Sequence, residues 1–284
     1  MGDAAGIGPE CIVKAHARGR LGPALVVGDP AVMRRAARAA GLATKVVEWR
    51  DEQEWEPCAA GHLPVLAPQG LPEGLDQLPW GREDARCGLA AARCIEAAVS
   101  LARNPRCRGS SALVTAPIHK GALAAAGIDF PGHTEMLQAL CAGESGQRPA
   151  VRMMLANDEL LVVLVTIHQS LRTAIDAVTF ETVLQTLRIA QQSAQMWGMA
   201  RPRIAVAGLN PHCGEGGLFG TEDDTQIAPA VAQAQAEGIN AFGPISADTL
   251  FYRAYNGAFD LVVAQYHDQG HIPVKLVAFD TGVN

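Results

Sequence analysis

The sequence predicts an α/β protein with a mostly parallel sheet. Short apolar runs of strand length alternate along the 284 residues with longer, alanine-rich segments of helix length. Hydrophobic residues make up 49% of the chain, which is enough for a sizeable core. The length suits one large α/β domain or two interlocked subdomains.

The first half of the chain opens with a glycine-rich turn, residues 1–9, that leads into a helix. Asp3 and the glycines of this turn either line a cleft or form a plain loop-to-helix joint. The elements predicted up to residue 127 are, in chain order, a helix 10–18, a strand 24–28, a helix 30–40 with Asp29 as its N-cap, strands 45–49 and 64–67, a helix 81–103, a strand 112–116 and a helix 121–126.

The second half continues the same alternation. Its predicted elements are a helix that begins at His133-Thr134, strands 150–155 and 160–167 joined by a turn at Asn157-Asp158, a helix capped by Ser170, a helix 180–198, a strand 204–209, a helix 225–236, a helix opened by Ser246 and a strand 261–264. A glycine-dense segment, 210–222, follows strand 204–209 and is typical of a loop whose backbone closely approaches another group.

Composition argues against several classes of protein. The net charge is −6 and lysines and arginines form no stripe, so nucleic-acid binding is disfavoured, although a local cluster can still bind an anion. No apolar run reaches the roughly 18 residues that span a bilayer. The seven cysteines include no C-x-x-C pair, which predicts reduced thiols in a cytoplasmic protein.

Three predicted strands each end in a histidine: His168, His212 and His267. Three histidines with an open coordination position suit a catalytic divalent ion. Their spacings of 44 and 55 residues are no local metal motif. The alternative is that each histidine forms hydrogen bonds within its own loop.

Charged groups accompany these histidines. Asp248 and Asp268 offer oxygen ligands or proton acceptors. The segment 266–275 is predicted to be a loop that presents the imidazole of His267, the carboxylate of Asp268 and the ammonium of Lys275 together. His271 is either a further polar contact or a surface residue. Cys213 is a conceivable nucleophile, but small-residue packing is favoured.

An anion-binding position is predicted at a helix N-terminus, where His133 and Thr134 add an imidazole and a hydroxyl to free N–H groups. The alternative is that Thr134 only caps the helix. With Lys275, this position indicates a phosphorylated or acidic substrate that bears a hydroxyl. The G-x-G-x-x-G dinucleotide fingerprint does not follow any predicted strand, which does not exclude a nucleotide held in another way.

Several motifs resemble one enzyme family, that of 4-hydroxythreonine-4-phosphate dehydrogenase of pyridoxal phosphate biosynthesis and its relatives. The match runs from end to end and rests on Gly2-Asp3 with Gly6-Ile7-Gly8-Pro9-Glu10, Gly132-His133-Thr134-Glu135, Gly208-Leu209-Asn210-Pro211-His212 with Gly220-Thr221-Glu222, Ala247-Asp248-Thr249, and Tyr266-His267-Asp268-Gln269-Gly270. The resemblance implies a fold similar to isocitrate and isopropylmalate dehydrogenases, with subdomains 1–127 and 128–245 and a segment 246–284 that returns across a central cleft. It also implies a homodimer that shares its active sites.

The resemblance further implies the ligands and the reaction. His168, His212 and His267 would bind a divalent ion (zinc, magnesium or cobalt), with one histidine from the partner subunit and His267 reaching toward the partner's ion. The substrate would contact His133, Thr134, Lys275 and Asn284, and Asp248, Asp268 and Lys275 would be catalytic. With NAD or NADP, the enzyme would oxidise and decarboxylate 4-hydroxy-L-threonine 4-phosphate to 3-amino-2-oxopropyl phosphate.

Three departures from the family pattern bear on these expectations. Ala4 replaces a usual proline, and residues 270–275 look more like family branches that act on 4-phospho-D-threonate or -erythronate or on cis-dihydrodiol carboxylates. The family also has a first strand before residue 1 and a cofactor-contacting loop beyond Asn284, so we expect the sequence to be incomplete at both ends. The alternative to an enzyme is a catalytically inactive homologue that only binds a ligand.

Overall fold

The computed structural model describes residues 1–50, 59–104, 112–142 and 146–284. The chain forms two compact units, Met1–Ala150 and Val151–Asn284. The units therefore divide the chain later than the predicted boundary after Gly127. No helix in the part of the chain that the structure describes is long and apolar enough to cross a membrane.

The first unit contains a three-stranded parallel sheet with the order β1-β3-β2. Its strands are β1 (Val26–Val27), β2 (Lys45–Trp49) and β3 (His62–Leu66), and its helices are α1 (Gly8–Ala17), α2 (Pro30–Ala39), α3 (Ala85–Arg103), α4 (Lys120–Ala125) and α5 (His133–Leu140). The predicted cap of α2 is confirmed, because Oδ1 of Asp29 accepts hydrogen bonds from the N–H groups of Ala31 and Val32 at 2.6 and 3.2 Å.

The predicted strand at 112–116 is wrong. Residues 112–119 adopt no regular secondary structure, and Val114 is 90% exposed. A strand needs a neighbour to complete its ladder of hydrogen bonds, and the described sheet of this unit pairs only β1, β2 and β3. The apolar run therefore pairs with none of the strands that the structure describes.

The second unit is built on a five-stranded sheet with the order β4-β5-β8-β6-β7. Its strands are β4 (Met154–Ala156), β5 (Leu161–Leu164), β6 (Ile204–Ala207), β7 (Ala241–Ile245) and β8 (Leu261–Ala264), and its helices are α6 (Leu171–Ala177), α7 (Phe180–Met196), α8 (Ala228–Ala236), α9 (Ala247–Tyr255) and α10 (His267–Val277). Only β4 runs antiparallel to its neighbour, so the prediction of a mostly parallel sheet is confirmed.

Strand β8 lies at the centre of this sheet, between β5 and β6. All four of its residues are buried, with apolar clusters on both faces of the sheet. The segment 246–284 that sequence analysis set apart therefore supplies the central strand of the second unit. Without it, β5 and β6 would have no common neighbour.

The predicted loop after β8 is instead a helix. Helix α10 begins at His267, and Lys275 lies in its last turn. Gly270 permits close packing, since a Cβ there would lie 2.6 Å from Cδ2 of Leu164 on β5. Eight helical residues span about 12 Å, so His267 and Lys275 are not presented at one point as sequence analysis expected.

The prediction of reduced thiols agrees with the cysteines that the structure describes. Five of them are free: Cys11, Cys87, Cys94, Cys141 and Cys213. Cys58 and Cys107 lie outside the described residues.

Candidate active site

The carboxyl ends of β5, β8 and β6 meet at one edge of the second unit's sheet, because these three strands are parallel neighbours. His168 follows β5, His267 follows β8, and His212 follows β6. Neighbouring strands lie about 4.8 Å apart, so topology alone directs the three histidines to the same edge. Strand order, which the sequence did not reveal, thus places the three histidines at one edge of the sheet.

His168 and His267 lie side by side at this edge. Their ring centroids are 5.6 Å apart and the ring planes are inclined by 46°. Two imidazoles that bind one tetrahedral zinc ion at about 2.0–2.1 Å per bond have centroids roughly 5 Å apart, which is close to the spacing of this pair. Both rings line a pocket of about 440 Å³, whose other walls are Ile167, Gln169, Leu171, Ala174, Tyr266 and Asp268.

The ring of His267 is fixed by its neighbours. Its Nδ1–H donates to Oδ1 of Asp268 at 2.7 Å, which leaves Nε2 as the available donor atom for a metal. His271 stacks on the ring with centroids 4.0 Å apart, and the Nδ1–H of His271 donates to the carbonyl of His267 at 3.0 Å. Burial lowers the pKa of His271. His271 is therefore a buried residue that supports His267. It is neither a surface residue nor a further polar contact for a ligand, the two roles expected from the sequence.

The third histidine lies in the glycine-rich loop after β6. His212 and Cys213 have left-handed backbone conformations, with φ of 52° and 54°. Such conformations are uncommon for residues other than glycine. Sγ of Cys213 packs so closely on Gly208 that a Cβ there would lie 2.7 Å from it.

Cys213 is not prepared for nucleophilic attack. Burial, and next the carboxylates of Asp223, Asp224 and Asp248, raise the pKa of its thiol to about 11. A thiol is a weak nucleophile compared with its thiolate. Packing, the interpretation that sequence analysis favoured, is consistent with this environment.

A side chain that sequence analysis missed organises this loop. Asp223 is fully buried and accepts hydrogen bonds from the N–H groups of Leu209 and Asn210 and from Nδ2 of Asn210. Nδ2 of Asn210 also donates to Glu222. The only sequence signal for this role was an acidic run, residues 222–224, at the end of a glycine-rich loop.

The structure brings two of the three histidines together. Among residues 1–50, 59–104, 112–142 and 146–284, no group of three or more His, Cys, Asp or Glu side chains is arranged to hold a metal ion. His212 shares the sheet edge with His168 and His267 but belongs to no such group. The described residues of one chain thus present a two-histidine pair.

The other predicted site residues of this unit are spread out. Asp248 lies in the first turn of α9, is exposed, and accepts a hydrogen bond from Oγ of Ser246 at 2.6 Å. Lys275 is exposed near the end of α10. Val283, next to Asn284, pairs with Ala156 of β4. Because Ala156 also pairs with Leu161 at the start of β5, Asn284 lies toward the end of the sheet opposite the histidines.

The predicted anion-binding position is in the first unit. His133 and Thr134 are the first residues of α5, and the N-cap, Gly132, makes no side-chain cap hydrogen bond. The alternative that Thr134 caps the helix is therefore wrong. Nε2 of His133 is buried without a hydrogen-bond partner, and burial lowers the pKa of this histidine. The helix N-terminus thus presents an imidazole nitrogen whose hydrogen-bonding capacity is unused.

A larger cavity in the first unit does not compete with these positions. It measures about 540 Å³ and is lined by residues of α3, by Asn104 and by Leu140. Its lining contains one carboxylate and one guanidinium, Glu96 and Arg103, and no imidazole or thiol. We therefore place the candidate active site at the histidine-bearing edge, although the cavity there is smaller.

Comparisons with known proteins agree with the fold. The family model described as pyridoxal phosphate biosynthetic protein PdxA matches residues 20–284. A 4-hydroxythreonine-4-phosphate dehydrogenase from Beijerinckia indica subsp. indica is 50% identical over 100% of this chain and 81% of its own length. A D-threonate 4-phosphate dehydrogenase from Cupriavidus necator is 44% identical over 100% of this chain and 83% of its own.

Solved structures show the same similarity. The crystal structure of a 4-hydroxythreonine-4-phosphate dehydrogenase from Klebsiella pneumoniae has a TM-score of 0.86 and 39% identity, and the match covers 98% of this chain and 82% of that chain. Fold and relatives together place the chain in the class of α/β dehydrogenases. Within that class it belongs to the PdxA family. The resemblance stated from the motifs is confirmed.

Proposed function

We propose that this protein is a metal-dependent, NAD- or NADP-linked dehydrogenase that oxidises and decarboxylates 4-hydroxy-L-threonine 4-phosphate to 3-amino-2-oxopropyl phosphate. The observation that carries the proposal is the pair of rings of His168 and His267, 5.6 Å apart in a pocket at the carboxyl edge of a parallel sheet. Membership of the PdxA family supports the reaction class.

The metal in this proposal is a divalent ion, zinc, magnesium or cobalt, held by His168, His212 and His267. Such an ion supplies Lewis-acid chemistry that lowers the pKa of a hydroxyl and stabilises negative charge on oxygen. The donor set fits, because imidazole is a common ligand for these ions and Nδ1 of His267 is already bound to a carboxylate.

The chain's own residues divide the remaining work. Asp268 orients His267 and lines the same pocket, so its carboxylate would accept the proton of a hydroxyl bound there, while a bound nicotinamide would supply the hydride acceptor. Ile167, Leu171 and Ala174 give the pocket apolar walls. The resulting β-keto acid then loses carbon dioxide. Asp248 and Lys275 remain proposed catalytic groups by their match to family motifs.

Phosphate binding is assigned to the N-terminus of α5. His133 and Thr134 begin that helix, where backbone N–H groups and the helix dipole favour an anion. The buried Nε2 of His133 has no partner and can donate to a phosphate oxygen when protonated. Lys275 and Asn284 remain proposed substrate contacts only by their match to family motifs.

We propose that the enzyme acts as a homodimer and that the three histidines of one metal site come from both chains. The support is the resemblance to the family, which implies that His267 reaches toward the partner's ion, together with the lack of a three-donor group among the described residues of one chain. A cytoplasmic location is proposed from the free thiols, because reduced cysteines are usual there.

A second candidate substrate is D-threonate 4-phosphate, on which relatives of this chain are named as acting. The segment that favours it is 270–275, where sequence analysis found a departure from the usual pattern. His271 of this segment stacks directly on His267, so the departure lies at the site. The two acids differ at the carbon beside the carboxylate, which carries an ammonium group in one and a hydroxyl in the other.

The test is a side-by-side assay of protein loaded with zinc, cobalt or magnesium. Each phosphorylated acid, and a cis-dihydrodiol carboxylate as a third arm, is supplied with NAD or NADP, and reduced nicotinamide and released carbon dioxide are measured. We expect turnover with 4-hydroxy-L-threonine 4-phosphate. Turnover with D-threonate 4-phosphate alone would select the second candidate, and inactivity with every acid would contradict both.

A further control separates an inactive homologue from an enzyme with an untested substrate. Calorimetric titration with NAD and NADP, with and without the divalent ion, measures whether the dinucleotide binds. Binding without turnover would point to a different hydroxy acid. Absence of both binding and turnover would favour the inactive ligand-binding homologue.

A further inference from the structure

The carboxylate of Asp223 is buried among N–H donors from a single segment. Oδ1 accepts from the N–H of Leu209 at 2.8 Å, and Oδ2 accepts from the N–H and Nδ2 of Asn210 at 2.9 and 3.0 Å. Burying a charged group is costly unless hydrogen bonds compensate it. Here the compensating donors all lie between the end of β6 and His212.

The segment held in this way leads directly into a strained stretch of backbone. His212 and Cys213 are both left-handed, and Glu215 follows with φ of 47°. Non-glycine residues keep such conformations only where the surrounding structure determines them. Gly214 is also tightly packed, since a Cβ there would lie 2.4 Å from the carbonyl oxygen of Gly220. The orientation of His212 therefore depends on what anchors this loop.

Asp223 is itself anchored in the core of the second unit. It begins a π-helical turn, Asp223–Ile227, that runs into α8, and Ile227 is fully buried in the main apolar cluster. Short π-helical turns occur frequently at functional sites. The carboxylate thus connects a rigid core element to the backbone two residues before His212.

We propose that Asp223 is a positioning residue that holds His212 in the conformation required for metal binding. This inference rests on the proposed function, in which His212 is a metal ligand. Asp223 does not contact the ion. It acts through the backbone of Leu209 and Asn210, and its loss leaves the strained loop free to relax, which turns the imidazole away from the position of the ion. Outer groups that orient a ligand typically contribute 10–100-fold to metal affinity.

The test compares Asp223→Asn with Asp224→Asn. Both variants remove one carboxylate from the same turn, but Asp224 is exposed and makes no hydrogen bond to the loop. The affinity of the purified full chain for cobalt is measured by calorimetry. The absorption spectrum of the cobalt-loaded protein reports the ligand geometry, and the thermal unfolding midpoint is measured alongside.

We expect Asp223→Asn to weaken cobalt binding about 10–100-fold and to shift the cobalt spectrum toward that of His212→Ala. Asp224→Asn should change neither quantity. Wild-type cobalt affinity and spectrum in Asp223→Asn would overturn the proposal, as would equal effects of both variants.

A second variant keeps the proposal testable if Asp223→Asn does not fold. Asn210→Ala removes one of the three bonds to the carboxylate and the bond to Glu222, while both backbone donors remain. It should weaken cobalt binding by less than Asp223→Asn and shift the spectrum in the same direction. An unchanged spectrum in folded Asn210→Ala would count against the proposal.

Failure of this inference can be told from failure of the proposed function. If His168→Ala and His212→Ala both bind cobalt as the wild type does, the histidine metal site itself is wrong. If these variants lose cobalt but folded Asp223→Asn does not, the site stands and the positioning role of Asp223 is wrong.

Discussion

The rings of His168 and His267 lie with centroids 5.6 Å apart because β5 and β8 are parallel neighbours that end at the same edge of the sheet. Their residue numbers differ by 99, so the contact is created by the fold alone. It gives the second unit one place where two imidazoles converge beside a carboxylate and a pocket.

The first prediction concerns this pair. His168→Ala and His267→Ala should each abolish stoichiometric retention of the divalent ion, as measured by metal analysis after dialysis. The double variant should be no worse than either single variant, because both remove one shared site. The control is His62→Gln, a histidine on β3 of the first unit. Metal retained in both single variants would contradict the assignment.

The second prediction concerns Asp268. Asp268→Asn keeps a group of similar shape beside Nδ1 of His267 but removes the charge that orients the ring. We expect cobalt affinity to fall about 10–100-fold while the unfolding midpoint changes little, since the carboxylate is exposed. Asp176→Asn, an exposed carboxylate on α6, is the matched control. Equal cobalt affinities in the two variants would show that Asp268 does not support the site.

The third prediction concerns Gly88 in α3. Replacing a helical glycine by alanine usually stabilises a protein by about 0.5–1 kcal/mol. Gly88 packs against α4, and a Cβ added there would lie 1.9 Å from the backbone carbonyl oxygen of Ala122 in that helix. Gly88→Ala should instead lower the free energy of unfolding by about 1–3 kcal/mol, measured by denaturant titration.

The control for Gly88 is Ser100→Ala, an exposed position in the same helix. We expect its effect to lie within about 0.5 kcal/mol of zero. A stabilising Gly88→Ala would show that α3 and α4 are not packed as closely as the structure has them.

The fourth prediction concerns pH and His16. Its Nε2–H donates to the carbonyl of His62 at 3.1 Å, while Nδ1 is buried without a partner, and burial lowers the pKa of His16. The unfolded chain therefore binds a proton at higher pH than the folded chain does. This contribution to stability is fully present above pH of about 6.5 and is lost as the pH falls through the lower folded pKa.

His16→Gln tests that dependence, because glutamine can donate to the same carbonyl but does not titrate in this range. Thermal unfolding midpoints measured between about pH 7.5 and 5 should fall less steeply in the variant than in the wild type. Identical slopes would mean that His16 does not carry the difference. His133 and His271, whose pKa values burial also lowers, contribute to the slope that remains.

Much of this architecture could be predicted from the sequence, because apolar periodicity and capping residues act locally. Asp29 and Ser170 cap the helices that the sequence assigned to them. The turn at Asn157 is also as predicted, with its side chain accepting from the N–H groups of Glu159 and Leu160. Each of these predictions needed only residues within a few positions of one another.

Features that depend on distant residues could not be predicted. The apolar pattern of 112–116 could not show whether a neighbouring strand exists. The helix at 267–277 contains Pro273 and Gly270, residue types that favour a loop. The close packing of Gly270 on β5 depends on residues far away in the sequence. Likewise, nothing in the sequence near Asp223 shows that its side chain is buried beneath the loop that carries His212.

The central claim is that the histidine pair supports metal-dependent oxidation of a phosphorylated hydroxy acid. Its most direct test is reduction of NAD or NADP by 4-hydroxy-L-threonine 4-phosphate, measured with zinc- or cobalt-loaded wild type and with His168→Ala. We predict reduced nicotinamide in the wild type and none above background in the variant. No reduction with any phosphorylated acid in the wild type, or equal rates in both proteins, would contradict the claim.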